Sequence, residues 1–279
     1  MDLFQSFIVG LVQGLTEFLP ISSTAHVRII PSLLGWNDPG AAVTAVTQLG
    51  TLAAVLIYFK KDLWTLAQAG IKPIFQFNQR SQWNEETLRQ IKLAWFIVLG
   101  TIPVGILGLA YKHQIENELR SLTIIGWSLI GLALLLAIAE LAAKHRRKID
   151  EMNFIDTQII GLAQAAALIP GSSRSGVTIT AGLFLGLTRE SAARFSFLLS
   201  VPAVLASGLL ELKDLLQHGI GDEGLFNLIV ATVVAGIVGY LSIAFLLRWL
   251  QTRSTLIFIV YRIGLGVLIL YLSGQHLIK

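Results

Sequence analysis

Six apolar runs of 18 to 23 residues dominate the chain: 41–59, 91–111, 122–143, 195–212, 225–247 and 256–273. A helix needs roughly 20 apolar residues to cross the hydrocarbon core of a bilayer, so each run is a candidate span. A water-soluble globule could not hide that much apolar surface. The 21 Lys and Arg and 17 Asp and Glu make up 14% of the 279 residues, against about 25% in soluble domains. Hydrophobic residues reach 54% and the mean hydropathy is +0.70. A disordered chain, a secreted disulfide scaffold and a cytosolic enzyme are all excluded. An all-α polytopic membrane protein remains, because helices satisfy their own backbone in lipid. With no cysteine there is no disulfide, thiol nucleophile or iron–sulfur site. The start, Met1-Asp2-Leu3, lacks a basic region, and no cleaved signal peptide is expected.

Four further apolar runs are shorter or interrupted: 3–19, 26–35, 157–169 and 177–187. They form two pairs, joined by Pro20-Ile21-Ser22-Ser23 and by Pro170-Gly171-Ser172-Ser173-Arg174-Ser175-Gly176. Such pairs read as re-entrant hairpins, 3–35 and 157–187, which are tolerated where they line a protein-walled cavity. The run 3–19 is also long enough to span alone. Gly10-Leu11-Val12-Gln13 matches Gly161-Leu162-Ala163-Gln164, and Pro20-Ile21-Ser22-Ser23 matches Pro170-Gly171-Ser172-Ser173. Thr101, Gly105, Ile106 and Gly108 match Thr232, Gly236, Ile237 and Gly239 at a constant offset. The segments 1–150 and 151–279 therefore read as two copies of one unit, a hairpin and three crossings. Three crossings is an odd number, so the second copy is inverted relative to the first.

The pI near 9.4 is compatible with nucleic acid, but the basic residues sit in the loops between spans. Thirteen Lys and Arg fall in 60–90, 144–156, 188–194 and 248–255, against four in the opposite loops. This is a positive-inside pattern. It places the first set in the cytoplasm and both termini outside, and no nucleic-acid partner is expected. Trp36, Trp64, Trp83, Trp95, Trp127 and Trp249 lie near run ends, where interfacial anchors belong.

An ionisable side chain at membrane depth is a functional candidate. Gln13 and Glu17 are four apart and share a helix face. Past Ser22, a half-helix starting at Ser23 would put Ser23 and His26 within hydrogen-bond reach. Blander roles are open to each: Ser23 as a cap, Glu17 snorkelling to the surface, His26 in packing. In the second turn, Ser173, Ser175 and Thr178 supply hydroxyls at a helix start, where free N–H groups and the dipole favour an anion. Arg174 adds a planar cationic fork suited to phosphate oxygens, unless it only balances Glu17. Arg262, in mid-span, must face the interior or a polar cavity. Glu140 and Glu211 near run ends are expected to reach water. The pairs Gly126/Gly131, Gly236/Gly239 and Gly264/Gly266 are expected to be packing contacts. No metal cage is visible. At most Glu17, with substrate oxygens, could hold a largely hydrated Mg²⁺ or Ca²⁺.

The stretch Gln13-Gly-Leu-Thr-Glu17-Phe-Leu-Pro-Ile-Ser22-Ser23-Thr-Ala-His26, with Pro170-Gly-Ser-Ser-Arg174-Ser-Gly-Val-Thr178, resembles the undecaprenyl-diphosphate phosphatase family, the bacitracin-resistance proteins. The likeness runs through the whole chain, including Phe195-Ser-Phe-Leu-Leu-Ser-Val-Pro202. Many members carry Glu where this chain has Gln13, which leaves position 13 as a hydrogen-bonding or metal-orienting group. The resemblance implies a multi-pass enzyme of the bacterial plasma membrane with an outward-facing site. It implies hydrolysis of undecaprenyl diphosphate to the monophosphate and phosphate, a divalent cation (Mg²⁺ or Ca²⁺) near Glu17 and Gln13, and a homodimer.

The residues agree with that chemistry. Arg174, Ser22, Ser173, Ser175 and Thr178 would bind phosphate oxygens, and the lipid tail would lie among apolar helices and membrane lipids. Glu17 would bind the cation or handle a proton. Either Ser23 is the nucleophile with His26 as its base and later acid, or water attacks with His26 or Glu17 as base. The competing class is a lipid-phosphate flippase or anion transporter, since inverted repeats with broken helices are a transporter signature.

Overall fold

The computed structural model describes all residues except 77, 79–81, 112, 116–118, 120, 219–223 and 279. Arg80, Lys112, Arg120 and Lys279, counted above among the loop charges, lie outside the described residues. The described residues form eleven α-helices: α1 (Leu3–Thr16), α2 (Ser23–Leu33), α3 (Gly40–Tyr58), α4 (Lys60–Phe75), α5 (Glu85–Ala110), α6 (Leu122–Ala142), α7 (Phe154–Ala166), α8 (Arg174–Phe184), α9 (Arg189–His218), α10 (Leu225–Thr252) and α11 (Leu256–Gly274). The chain is an all-α polytopic membrane protein. Five helices, α5, α6, α9, α10 and α11, are long and apolar enough to cross a bilayer alone. The pair α3 and α4 meets that test together, bent by 83°, which makes six if it is one span.

Helix α6 shows how such a span is built. Leu122, Ile125, Gly126, Leu129, Ala133 and Leu136 are buried at helical spacing. They face α11 and α8. Leu134, Leu135, Ile138 and Leu141, equally apolar, are exposed on other faces. A helix that is apolar all round yet half exposed has lipid as its second neighbour.

By contrast, α1, α2, α7 and α8 have 14, 11, 13 and 11 residues. At 1.5 Å per residue they reach roughly 16–21 Å, short of the roughly 30 Å hydrocarbon core. Their ends differ from the apolar runs because caps, not hydropathy, set them. Helix α7 starts at Phe154, three residues before its apolar run, because Asn153 and Asp156 form a capping box. Helices α2 and α8 start at Ser23 and Arg174, behind the capping hydroxyls of Ser22 and Ser173. Helix α1 ends at Thr16 rather than continuing to residue 19. Pro20 disfavours helical backbone just before it.

The helices interlock across the two halves. Helix α1 packs on α10, and α7 packs on α5. At each crossing a glycine lets the backbones touch: a Cβ on Gly10 would lie 2.4 Å from Ala231 O, and one on Gly161 would lie 2.4 Å from Gly100 O. Helix α3 packs on both α9 and α10, and α11 on α6.

Several expectations are corrected. The stretch 60–90 is not a loop, since most of it forms α4 and the start of α5. An amphipathic helix with Lys60, Lys61 and Lys72 beside Trp64, Ile71 and Phe75 escapes a search for uniform hydropathy. Glu140 is only partly exposed, and Arg189 and Thr255 both donate to its carboxylate where water alone was expected. Gly126, Gly236, Gly239 and Gly266 are close contacts as expected, but Gly131 and Gly264 face open space.

Candidate active site

The turns after α1 and α7 meet beside one cavity of about 380 Å³. Glu17, Ser22, Ser23, Thr24, Ser173 and Arg174 line it where the turns meet, and Gln48, Thr101, Gln164, Ser207 and Glu211 add further polar groups. Val104, Leu109, Leu168, Ile169, Val204 and Leu210 line an apolar part between α5, α7 and α9. A headgroup with an attached hydrocarbon chain suits that division.

Glu17 is the hub. It closes α1 with helical backbone, its N–H bonded to Gln13 O. It is only 6% exposed, and three groups donate to its carboxylate. Gln13 Nε2 and Ser23 Oγ each donate to Oε2 at 2.7 Å. Arg174 Nη2 donates to Oε1, also at 2.7 Å. Burying a carboxylate is costly unless partners of this kind satisfy its oxygens. Arg174 Nη1 is buried and has no hydrogen-bond partner, nor has Gln13 Oε1 or Ser172 Oγ. Buried polar atoms are rarely left so.

Both turns use one backbone device. Ser22 has φ 73°, ψ 98° and Ser173 has φ 68°, ψ 107°. These are left-handed values that a residue with a Cβ adopts at a cost of about 1–3 kcal/mol. Each serine hydroxyl then accepts the backbone N–H three residues on, from Ala25 and Gly176. The helix N-termini thus open at the cavity, where their dipoles favour an anion. This geometry shifts the register of the internal match: Ser22 corresponds to Ser173, not Ser172, and Ser23 to Arg174.

The structure therefore brings Gln13, Glu17, Ser22, Ser23, Ser173 and Arg174 together, and it redirects other expected groups. Ser23 bonds Glu17 rather than His26, and Ser22, not Ser23, is the cap. His26 lies outside the cavity wall. Its Nδ1 donates to Ser22 O at 2.7 Å, since a carbonyl can only accept. Its Nε2 is 2.6 Å from the Tyr261 hydroxyl. Ser175 Oγ donates to Leu19 O, from one turn to the other. The Thr178 hydroxyl is engaged by Arg174 O and Ser196 Oγ. Neither residue is in the wall. Arg262 is fully buried and donates to carbonyls of both turns.

Sequence reasoning missed Tyr261 and Gln164. Gln164 lines the cavity, and both its amide atoms are buried without partners. Its match to Gln13 in the internal repeat was a usable signal. Tyr261 carried none.

The chain matches known proteins over nearly its whole length. It is 53% identical to the undecaprenyl-diphosphatase of Chlorobaculum tepidum, covering 100% of both chains. It is 54% identical to the undecaprenyl-diphosphatase of Myxococcus xanthus, over 98% of this chain and 89% of that one. The Chloroherpeton thalassium protein of the same name is 53% identical over 97% and 96%. A family model described as bacitracin resistance protein BacA matches residues 6–268. With a match of that extent, spanning both cavity turns, the chain belongs to the bacitracin resistance protein BacA family.

Proposed function

We propose that this protein is an undecaprenyl-diphosphatase of the bacterial plasma membrane. It hydrolyses undecaprenyl diphosphate to undecaprenyl phosphate and inorganic phosphate. The reaction recycles the lipid carrier for cell-wall synthesis and confers bacitracin resistance. The carrying observation is the contact between the Ser23 hydroxyl and Glu17, with Arg174 on the carboxylate's other oxygen. This is the nucleophile, base and orienting group of covalent catalysis.

The diphosphate enters with its terminal phosphate at the paired helix starts and its tail along the apolar wall. Arg174 keeps Nη2 on Glu17 and turns its unpartnered Nη1 to a phosphate oxygen. Ser23 Oγ attacks the terminal phosphorus and its proton passes to Glu17 Oε2. The bond from phosphorus to the bridging oxygen breaks, and that oxygen leaves with its electron pair on undecaprenyl phosphate. Glu17 gives up that proton to solvent; water then attacks the phosphoserine and passes one proton to Glu17, which returns it to Ser23 Oγ as the phosphorus–Oγ bond breaks and phosphate leaves. Positioned donors count most here, because charge spreads over the phosphoryl oxygens in the transition state.

A divalent cation is part of the proposal. Among the described residues no three His, Cys, Asp or Glu side chains form a cation cage. Gln13 Oε1, a buried oxygen with no donor beside Glu17, fits an ion that takes most of its ligands from phosphate and water. Glu17 and Gln13 would hold it. When bound, it would neutralise charge on the diphosphate oxygens.

The topology that goes with this function is six crossings and two re-entrant hairpins, arranged as inverted copies 1–150 and 151–279. The shared backbone of Ser22 and Ser173 supports it. So do the exchanged contacts Gly10 to Ala231 and Gly161 to Gly100, which obey the same offsets as the sequence repeat. The basic loops then face the cytoplasm, and the termini and cavity face outward.

The test is phosphate release from undecaprenyl diphosphate by purified protein in detergent, with and without a chelator. Detergent removes the second compartment, so a flippase or transporter with this architecture would release nothing. Release by wild type, and release lower by about 10² or more in Glu17→Gln, is the expected result.

A further inference from the structure

We infer that His26 is a positioning residue rather than the base, and that with Tyr261 and Arg262 of α11 it forms a brace holding both cavity turns in their left-handed conformation. The inference rests on the phosphatase reading above. Left-handed backbone at Ser22 and Ser173 persists only where the surroundings over-determine it. At the first turn, Ser22 O accepts the His26 Nδ1 proton at 2.7 Å and the His26 backbone N–H at 3.3 Å. The neutral ring then has a bare Nε2, which accepts from Tyr261 OH at 2.6 Å. Both ring nitrogens are thus used, in a side chain 5% exposed and outside the cavity wall.

The second turn has no such ring. Its position equivalent to His26 is Val177, which supplies only a backbone N–H to Ser173 O, at 2.9 Å. Arg262 takes over, donating to Ser172 O at 2.9 Å and Gly171 O at 3.4 Å, and reaching back to Pro20 O at 3.4 Å. Tyr261 and Arg262 are consecutive on α11. Neighbouring residues point about 100° apart around a helix, so one rung addresses both turns. The residues held at one remove are Ser23, which follows Ser22, and Arg174, which follows Ser173. A displacement of about 1 Å at either turn would separate Ser23, Glu17 and Arg174, and misplacement on that scale costs on the order of 10² in rate.

Asparagine separates the two roles, because its amide N–H can replace Nδ1–H toward Ser22 O but cannot take up a proton. The full chain in detergent is assayed for kcat, KM and pH dependence as wild type, His26→Asn, His26→Ala and Tyr261→Phe. We expect His26→Asn to stay within about tenfold of wild-type kcat with the same pH profile. His26→Ala should lose on the order of 10² in kcat with little change in KM. Tyr261→Phe should lose less than tenfold and leave the pH profile in place. A folded His26→Asn protein as inactive as His26→Ala, or a pH profile displaced in Tyr261→Phe, overturns the inference. Nitrogen NMR of the imidazole, assigned by the signal missing in His26→Asn, tests the brace without turnover. The Nδ1–H tautomer supports it and the Nε2–H tautomer refutes it. Wild-type protein that releases no phosphate would refute the phosphatase reading instead, and the tautomer would still decide the brace.

Discussion

Replacing Arg174 by lysine or alanine distinguishes a phosphate ligand from a counter-ion. The guanidinium has two arms with different fates: Nη2 lies 2.7 Å from Glu17 Oε1, and Nη1 is buried without a partner. Lysine has one ammonium in place of the fork and can satisfy Glu17 or the phosphate, not both in the same geometry. Losing one preorganised donor to developing charge costs on the order of 10²–10³ in rate, or about 2.7–4 kcal/mol of transition-state stabilisation. Arg174→Lys should therefore fold like wild type and lose phosphate release by that factor. Alanine removes both arms. The Glu17 carboxylate, with a side chain 4% exposed, then keeps only Gln13 and Ser23 as donors. Breaking a buried pair in this way costs roughly 3–5 kcal/mol of stability, so Arg174→Ala should also melt lower. Phosphate release and thermal unfolding in detergent are measured side by side for the three proteins. A stable, nearly fully active lysine variant beside an unfolded alanine variant would refute phosphate binding by Arg174 and leave it a structural counter-ion.

Glu17→Gln should lower kcat by about 10²–10⁴, the usual worth of a positioned base. Gln13→Ala should retain measurable turnover, and equal loss in both would remove the special role of Glu17. In this cysteine-free chain, a single cysteine at Asn37 should react with a membrane-impermeant reagent in whole cells, and one at Lys144 should not; the reverse pattern would invert the topology. Gly161→Ala would drive a Cβ to 2.4 Å from Gly100 O, and overpacking of that kind costs about 1–3 kcal/mol, so its thermal midpoint should fall. Gly264→Ala, whose Cβ meets nothing within 4 Å, should melt no lower than wild type.

The spans were legible because each lipid-facing helix satisfies its own backbone and must be apolar along its length. That property is local, and the run 122–143 became Leu122–Ala142 almost residue for residue. Glu17 and Arg174 were legible for a related reason, since a charge amid apolar residues needs a partner wherever the fold puts it. Amphipathic α4 was not legible, because its apolar face is diluted by lysines when read along the chain. Nor was the choice of partners. Ser23 and His26 are three residues apart, yet the turn from Glu17 to Ser22 brings Ser23 to a carboxylate six residues back, and His26 reaches Tyr261, 235 residues away. Arg262 read only as a buried charge in need of partners; the carbonyls it holds lie 90, 91 and 242 residues away in the chain. Composition and spacing determined which groups had to be buried. The tertiary meeting of the two cavity turns with each other and with α11 decided which hydrogen bonds they made, because a hydrogen bond needs its partner within about 3 Å and no local rule supplies that proximity across hundreds of residues.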